Sequence, residues 1–172
     1  MRAGLGLAGS RRFLLMAGIG LDAEVVASMP PALKRRLGRF GYGLHALATL
    51  ARRPRRLHAI EADGEAMQVA AAIVANARHY AGPFVLAPEA GLDRPGLQLV
   101  TLREPGALSH LRAAAALAAG RLRELGGVEV RAVRSVAFLD ADGAPVQLDG
   151  DPGPATPLRI GWLPDALVLL AA

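Results

Sequence analysis

The sequence predicts an α+β fold that is mainly β, a β-sandwich-like domain with two main helices. Short apolar runs bounded by Gly, Pro, Asp and Asn recur after residue 56, which is typical of strands joined by turns. Residues 33–50 and 108–125 instead repeat apolar residues at steps of three and four, as helices do. With 172 residues, of which 52% are hydrophobic, the chain can bury one core. We predict a single domain over residues 1–172.

The elements follow from the same patterns. Strands are predicted over residues 12–17, 57–62, 67–76, 84–87, 97–102, 128–139, 145–148, 158–162 and 166–170. Asp63-Gly64 and Asp142-Gly143 are typical of tight hairpin turns. Gly126-Gly127 is expected to end the second long helix. Residues 18–22 predict a glycine turn before a short helix over residues 23–28.

Two motifs near the amino terminus are not expected to carry function. Residues 4–9 match the dinucleotide pattern G-x-G-x-x-G, but too few residues precede them to form the strand that such a loop must follow. Ser10-Arg11-Arg12-Phe13 resembles a twin-arginine export signal, yet Asp22 and Glu24 interrupt the apolar stretch behind it. We interpret this stretch as a buried strand. No apolar run reaches the ~18 residues that a membrane-spanning helix needs.

Composition narrows the possible chemistry. The chain has no cysteine, which excludes disulfides, thiolate metal sites and cysteine nucleophiles. Eight basic residues and no acid lie between Lys34 and Arg56. Such a segment can be a solvated helix face, a nucleic-acid patch or a surface for anionic lipid headgroups. Nucleic-acid binding is disfavoured because the only aromatic residues there, Phe40 and Tyr42, lie at positions that fit a helix core.

Two acidic turns are the places where chemistry is expected, residues 88–96 and residues 146–152. Asp149 and Asp151, two residues apart in an extended turn, would lie on one side of the chain. A carboxylate pair of this kind can bind a cation, or one member can act as a general base. His45, His58, His79 and His110 lack metal-ligand spacing, and no Walker phosphate-binding loop occurs.

Four blocks in order, residues 13–26, 74–90, 146–152 and 164–170, resemble the carboxy-terminal domain of bacterial diacylglycerol kinases and related sphingosine kinase-like lipid kinases. The resemblance implies a β-sandwich related to that of NAD kinases. It implies an ATP- and magnesium-dependent transfer of phosphate to a lipid hydroxyl. The amino-terminal domain of such kinases grips ATP with a Gly-Gly-Asp-Gly-Thr motif, which these 172 residues lack. We therefore expect this chain to be inactive alone and to need that domain as a partner.

Residue roles are carried over from the same resemblance. Asp151 stands where the family has the proposed general base, usually Glu, and Asp149 would orient it or contact metal-bound phosphate. Gly18, Gly20, Asp22 and Asn76 would line the cleft that receives the substrate. The family's structural magnesium turn reads Leu-Asp-Asp-Gly.

Here that turn reads Leu92-Asp93-Arg94-Pro95, so Asp93 is a weak metal ligand and Arg94 stands at the usual ligand position. A guanidinium repels a cation, and we expect this magnesium site to be lost. The other partners expected are the lipid substrate and an anionic membrane surface, reached by a cytoplasmic protein at the inner face of the membrane. The alternative is a non-catalytic derivative of the fold that binds a lipid or a protein.

Overall fold

A computed structural model describes residues 2–30, 45, 48–50 and 56–168 of the chain. The elements described over their full length are fourteen strands, two α-helices and one 3-10 helix. The strands are β1 (Arg2–Ala8), β2 (Arg11–Phe13), β3 (Met16–Ile19), β4 (His58–Ala62), β5 (Glu65–Val69), β6 (Ala71–Ala75), β7 (His79–Tyr80), β8 (Phe84–Val85), β9 (Leu97–Leu102), β10 (Val128–Val133), β11 (Ser135–Phe138), β12 (Val146–Leu148), β13 (Asp151–Pro152) and β14 (Leu158–Val168). The helices are α1 (Leu21–Ser28), α2 (Ala107–Ala118) and the 3-10 helix (Leu122–Glu124).

Twelve of these strands form two six-stranded antiparallel sheets. The first sheet has the order β2-β1-β14-β11-β4-β5, and the second has the order β10-β9-β6-β3-β12-β13. The side chains between the two sheets form the main core, in which Phe13, Ile19, Ile60, Phe138 and Ile160 are almost fully buried. The predicted β-sandwich is therefore confirmed.

The helices cover the outer face of the second sheet. Helix α1 packs on β3, β12 and β13, whereas α2 packs on β8 and β9. A second, smaller apolar cluster lies on this outer face and includes Leu86, Val100 and Leu122. Within the described residues, the second sheet therefore has apolar contacts on both of its faces.

Three strands that the sequence predicts as continuous are each divided between the sheets. The predicted strand 12–17 is β2 in the first sheet and β3 in the second. The predicted strand 67–76 is β5 in the first sheet and β6 in the second, and Ala70 between them donates its N–H to Leu102 O at 2.7 Å. The predicted strand 128–139 is β10 and β11, which also lie in different sheets. There the Asp63 carboxylate accepts the N–H groups of Arg134 and Ser135 at 3.0 and 2.9 Å. Period-two patterning cannot reveal such a crossing because apolar residues continue on both sides of it.

The turn predictions have mixed outcomes. Asp63-Gly64 forms the expected hairpin between β4 and β5, with φ angles of 51° and 88°. Asp142-Gly143 does not form one, because β11 and β12 on either side of it belong to different sheets.

Helix α2 also ends earlier than predicted. Gly120 adopts the left-handed conformation, with φ 70°. The N–H of Gly120 donates to Leu117 O, and the N–H of Arg121 donates to Ala116 O. This Schellman arrangement, rather than Gly126-Gly127, ends the helix.

The glycine-rich segment of residues 4–9 lies largely in β1 and is not a phosphate-binding loop. A Cβ on Gly4 would collide with the indole of Trp162, and one on Gly6 would collide with the ring of Phe13. These glycines therefore let aromatic rings lie flat on the strand. The predicted helix over residues 33–50 and most of the basic segment lie outside the described residues, although residues 48–50 are helical.

A buried ionic cluster fixes one end of the first sheet. Nδ1 of His58, which is almost fully buried, donates to Asp140 at 2.5 Å, and the N–H of Ala59 donates to the same carboxylate at 2.9 Å. Arg56 bridges Asp140 and the exposed Asp142. Burial raises the pKa of Asp140, but the hydrogen bonds from His58 and Ala59 and the charge of Arg56 outweigh it, so the pKa lies below its ordinary value.

Replacing Asp140 by asparagine is expected to lower the free energy of unfolding by about 2–3 kcal/mol at pH 7, because hydrogen bonds to a buried charge are lost. A carboxyl with a lowered folded-state pKa stabilises the fold above its unfolded value of about 3.9 and loses this contribution as the pH falls through the folded value. Urea unfolding of both proteins between pH 7 and pH 3 should therefore show the difference shrinking below about pH 4. Asp142→Asn is the matched control, with a cost below about 1 kcal/mol for an exposed pair. Equal effects of the two substitutions at pH 7 would contradict this assignment.

Candidate functional site

The carboxylate of Asp149 holds the connection between β2 and β3. Asp149 and Gly150 form the two-residue turn between β12 and β13, with φ angles of 53° and 85°. The Asp149 oxygens accept the backbone N–H groups of Leu14, Leu15 and Met16 at 2.7, 2.8 and 2.9 Å. Its own N–H donates to Met16 O at 2.9 Å. In this geometry Asp149 positions the backbone around it, and direct contact of Asp149 with a phosphate or metal stays a prediction.

Asn76 holds the same connection from its carbonyl side. Its side chain is almost fully buried, and Nδ2 donates to Leu14 O at 2.8 Å and to Gly4 O at 2.9 Å. The backbone N–H of Asn76 donates to Leu15 O at 2.8 Å. Asp149 thus satisfies the N–H groups of the β2–β3 connection and Asn76 satisfies its carbonyls. The two side chains therefore hold the same connection from its two sides. A contact between Asn76 and a substrate stays a prediction.

Asp151 begins β13, the edge strand of the second sheet. It pairs with Leu148, so the alternation of the strand directs its side chain toward the face that looks at the first sheet. Because β13 has no further neighbour in the sheet, Asp151 is exposed. Arg11, on the edge strand β2 of the first sheet, donates from Nη1 to the carbonyl of Pro152 at 2.9 Å. The edges of the two sheets meet here, and Asp151 lies exposed where they meet.

Asp22 lies on the other face of the second sheet, in the first turn of α1. Its Oδ1 accepts the hydroxyl proton of Tyr80 at 2.7 Å. A Cβ on Gly18 would lie 3.5 Å from Asp22 Oδ2 and 2.9 Å from Gln147 Nε2. A Cβ on Gly20, with φ 104°, would lie 2.8 Å from Ala70 O. Both glycines therefore allow close packing of protein against protein, and their contact with a substrate stays a prediction.

An apolar cavity of about 200 Å³ opens beside Asp22. Its walls come from α1, the outer face of β6 and β9, helix α2 and the 3-10 helix, and Leu21, Val25, Ile73, Val100 and Leu117 are among the lining residues. The polar side chains in the lining are those of Asp22, Tyr80, Thr101 and His110. An apolar cavity of ~150 Å³ in a protein core already binds benzene, so this space can hold a hydrocarbon chain segment.

The acidic turn of residues 88–96 is tied down by hydrogen bonds to protein groups. Glu89 accepts from Gln98 Nε2 at 2.7 Å and from Arg123 Nη1 at 2.8 Å. The hydrogen bond from Arg123, together with the one from Gln98, holds the pKa of Glu89 below its ordinary value. Arg94 donates to the carbonyl of Glu89 at 3.4 Å.

Loss of the structural magnesium site stays a prediction for this turn. The Arg94 guanidinium donates to the Glu89 carbonyl within it, and its positive charge would repel a cation bound beside it. Among residues 2–30, 45, 48–50 and 56–168, no group of three or more His, Asp or Glu side chains could hold a metal ion.

Sequence reasoning missed the cavity, Tyr80 in its lining and Gln147 beside the Asp149 turn. Tyr80 is one of two tyrosines in the chain, and its position four residues after Asn76 gives no sign that it meets Asp22. Gln147 is almost fully buried and accepts the N–H of Gly150 at 2.8 Å, so it shapes the Asp149 turn from within. The sequence feature that could have indicated its role is a glutamine between two apolar residues in a strand.

Two stacked six-stranded sheets with helices on one outer face define a β-sandwich domain of the NAD kinase-like class. The family model of the YegS C-terminal NAD kinase beta sandwich-like domain matches residues 16–171, and the chain belongs to this family. No curated protein matches the sequence.

Solved structures share the fold over almost the whole chain. A diacylglycerol kinase from Bacillus anthracis str. Sterne is 20% identical with a TM-score of 0.66, covering 95% of this chain and 53% of its own. Two structures of proteins from the same strain, proposed to be diacylglycerol kinases, have TM-scores of 0.71 and 0.68 at 20% and 19% identity, with 95% of this chain and 54% of theirs covered. The chain therefore spans about half the length of these structures.

The expected NAD kinase-like β-sandwich domain is confirmed by the family model, and the expected fold is confirmed by these structures. Within the part of the chain that the structure describes, no helix is both long enough and apolar enough to cross a bilayer.

Proposed function

We propose that this chain is the lipid-side domain of an ATP-dependent kinase that phosphorylates the hydroxyl of a diacylglycerol-like lipid. The observation that carries the proposal is the apolar cavity with one acidic side chain in its lining. Hydrocarbon chains are stabilised in such a space by about 0.8 kcal/mol for each buried methylene. Asp22, fixed by Tyr80, supplies a hydrogen-bond acceptor for a polar group at the head of the lipid.

The reacting hydroxyl would lie near Asp151 at the sheet edge. Gly18 beside Asp22 pairs with Gln147, and Gln147 pairs with Pro152, the neighbour of Asp151. Two strand spacings, about 10 Å, thus separate the strand of Gly18 from the strand of Asp151. Because Asp22 and Asp151 lie on opposite faces of the second sheet, the head of the lipid would have to reach round the edge strand β13. Asp151 would accept the hydroxyl proton as general base, and Asp149 would hold the β2–β3 connection beside it.

The phosphate donor in this proposal is ATP with magnesium, held by the amino-terminal domain that the resemblance implies. None of the described side chains forms a triphosphate-binding loop, so this chain contributes the lipid pocket and the base. The alternative, a lipid-binding domain without catalysis, is favoured by Arg94 in the acidic turn and by Asp151 in place of glutamate. Both proposals require the cavity to bind lipid, and they differ only in whether phosphate is then transferred from ATP to the lipid.

Filling the cavity is expected to weaken lipid binding. Ala113, on the inner side of α2, lines the cavity, and Ala113→Phe would occupy the space of at least two methylenes. Because each methylene contributes about 0.8 kcal/mol, the dissociation constant for a short-chain diacylglycerol should rise about tenfold or more. Titration calorimetry with dioctanoylglycerol measures this on the 172-residue chain.

The matched control is Ala66→Phe, an exposed position on β5 in the other sheet. It adds the same ring without entering the cavity and should bind lipid as the unchanged chain does. The proposed function would be contradicted if the unchanged chain did not bind the lipid, or if Ala113→Phe and Ala66→Phe bound it equally well.

A further inference from the structure

Helix α2 is apolar on both of its faces. His110, Ala113 and Leu117 line the cavity on the inner side. On the outer side Leu108 and Leu111 are 60% and 46% exposed, and no residue of the helix is buried. A helix that is apolar all round is normally covered on every side. Among the residues that the structure describes, nothing covers the outer face of α2.

Helix α2 itself carries one arginine and no acidic residue. No acidic residue occurs from residue 105 to residue 123, whereas this stretch contains Arg112, Arg121 and Arg123. Arg121 and Arg123 are paired with glutamates outside the stretch. Arg112, on the helix itself, has no ion-pair partner among the described residues. An anionic surface would complement this face better than a neutral or cationic one.

The size of the face also discriminates between partners. A helix of 12 residues is about 18 Å long, and its exposed side is far smaller than the ~800 Å² that each partner buries in a stable protein interface. A bilayer contact has no such minimum, because a few inserted leucines and nearby arginines add their contributions separately.

We infer that the outer face of α2 docks on an anionic lipid bilayer, with Leu108 and Leu111 in the interface and Arg112 at the headgroups. The role of this docking rests on the proposed function: α2 is the wall between the bilayer and the cavity that would receive the lipid. A diacylglycerol could then enter beside α2 without its chains crossing water. The docking itself is tested without any phosphate transfer.

The absence of cysteine makes a site-specific test direct. Leu108→Cys and Leu111→Cys, each labelled with a fluorophore sensitive to polarity, are mixed with phosphatidylcholine vesicles with or without phosphatidylglycerol. Leu57→Cys and Leu139→Cys are matched controls, since these leucines are 43% and 41% exposed and lie at the ends of strands away from α2. We expect a blue-shifted, brighter signal at residues 108 and 111 on the anionic vesicles, and none at residues 57 and 139.

Vesicle flotation of unlabelled protein gives the affinity. The double variant Leu108→Ser/Leu111→Ser should bind anionic vesicles about tenfold more weakly or worse, because two leucines no longer insert. Arg112→Glu should weaken binding by about thirtyfold, because two units of charge change near the surface. Leu57→Ser/Leu139→Ser should bind as the unchanged chain does. All five positions are exposed, and thermal melting checks that each variant is folded.

Three results would overturn the inference. The chain could fail to bind anionic vesicles, or it could bind while labels at residues 108 and 111 remain in water, which would place the contact elsewhere. The serine double variant could change the oligomeric state in solution, which would assign the face to a second copy. Ala113→Phe separates this inference from the proposed function, because a blocked cavity should leave vesicle docking intact.

Discussion

Replacing Asp151 by asparagine is expected to lower kcat for lipid phosphorylation by about 10²–10⁴, the usual contribution of a general base. The protein for this test is a longer one in which an ATP-binding domain precedes residue 1. Asparagine keeps the shape of the side chain but cannot accept the hydroxyl proton. Because Asp151 is exposed at the edge of the second sheet, the free energy of unfolding should change by less than about 1 kcal/mol. Steady-state kinetics with radiolabelled ATP, beside urea unfolding, measure both quantities.

Asp151→Glu is the informative companion of this variant. It lengthens the side chain by one methylene and restores the residue that the resemblance implies at this position. A shift of ~1 Å in a catalytic group can change the rate about a hundredfold, so the glutamate variant should be at least as active as the unchanged protein. A kcat of Asp151→Asn within twofold of the unchanged value would remove Asp151 from the mechanism.

Removing the carboxylate of Asp149, unlike that of Asp151, is expected to lower the stability of the fold strongly. Three backbone N–H groups donate to it, and hydrogen bonds to a charged group contribute about 1.5–3 kcal/mol each before non-additivity. We expect Asp149→Gly to lower the free energy of unfolding by about 3 kcal/mol. Asp149→Asn, which keeps one acceptor oxygen, should lose less. Urea unfolding of the 172-residue chain measures this order.

Glycine is the proper reference at this position because Asp149 has φ 53°. Asp149→Ala would add a backbone penalty of about 1–2 kcal/mol that has nothing to do with the carboxylate. Alanine should therefore be the least stable of the three variants. If Asp149→Gly is as stable as the unchanged chain, the carboxylate does not hold the β2–β3 connection and a direct catalytic role becomes the better account.

The contrast between these two aspartates shows what the sequence could and could not predict. Their spacing indicated a carboxylate pair on one side of a turn. The structure instead gives Asp149 to three backbone N–H groups and leaves Asp151 exposed at the edge. The partners of Asp149 lie about 135 residues away in the chain, at Leu14, Leu15 and Met16. No local pattern reports a contact at that separation.

The fold shows the same division between local and long-range information. Apolar periodicity located most strands and the second helix, and it predicted the sandwich class. It could not show that β5 and β6, or β10 and β11, lie in different sheets, because apolar residues continue on both sides of each crossing. The cavity is a product of packing among α1, the second sheet and α2, which no single segment of the sequence encodes.

ATP-dependent phosphate transfer to diacylglycerol distinguishes the lipid-side domain of a kinase from a domain that only binds lipid. The 172-residue chain and the longer protein with an ATP-binding domain are compared with radiolabelled ATP and mixed lipids. We predict labelled phospholipid only from the longer protein, and its loss in Asp151→Asn. A folded longer protein that binds diacylglycerol but transfers no phosphate would contradict the kinase account and leave a lipid-binding derivative of the fold.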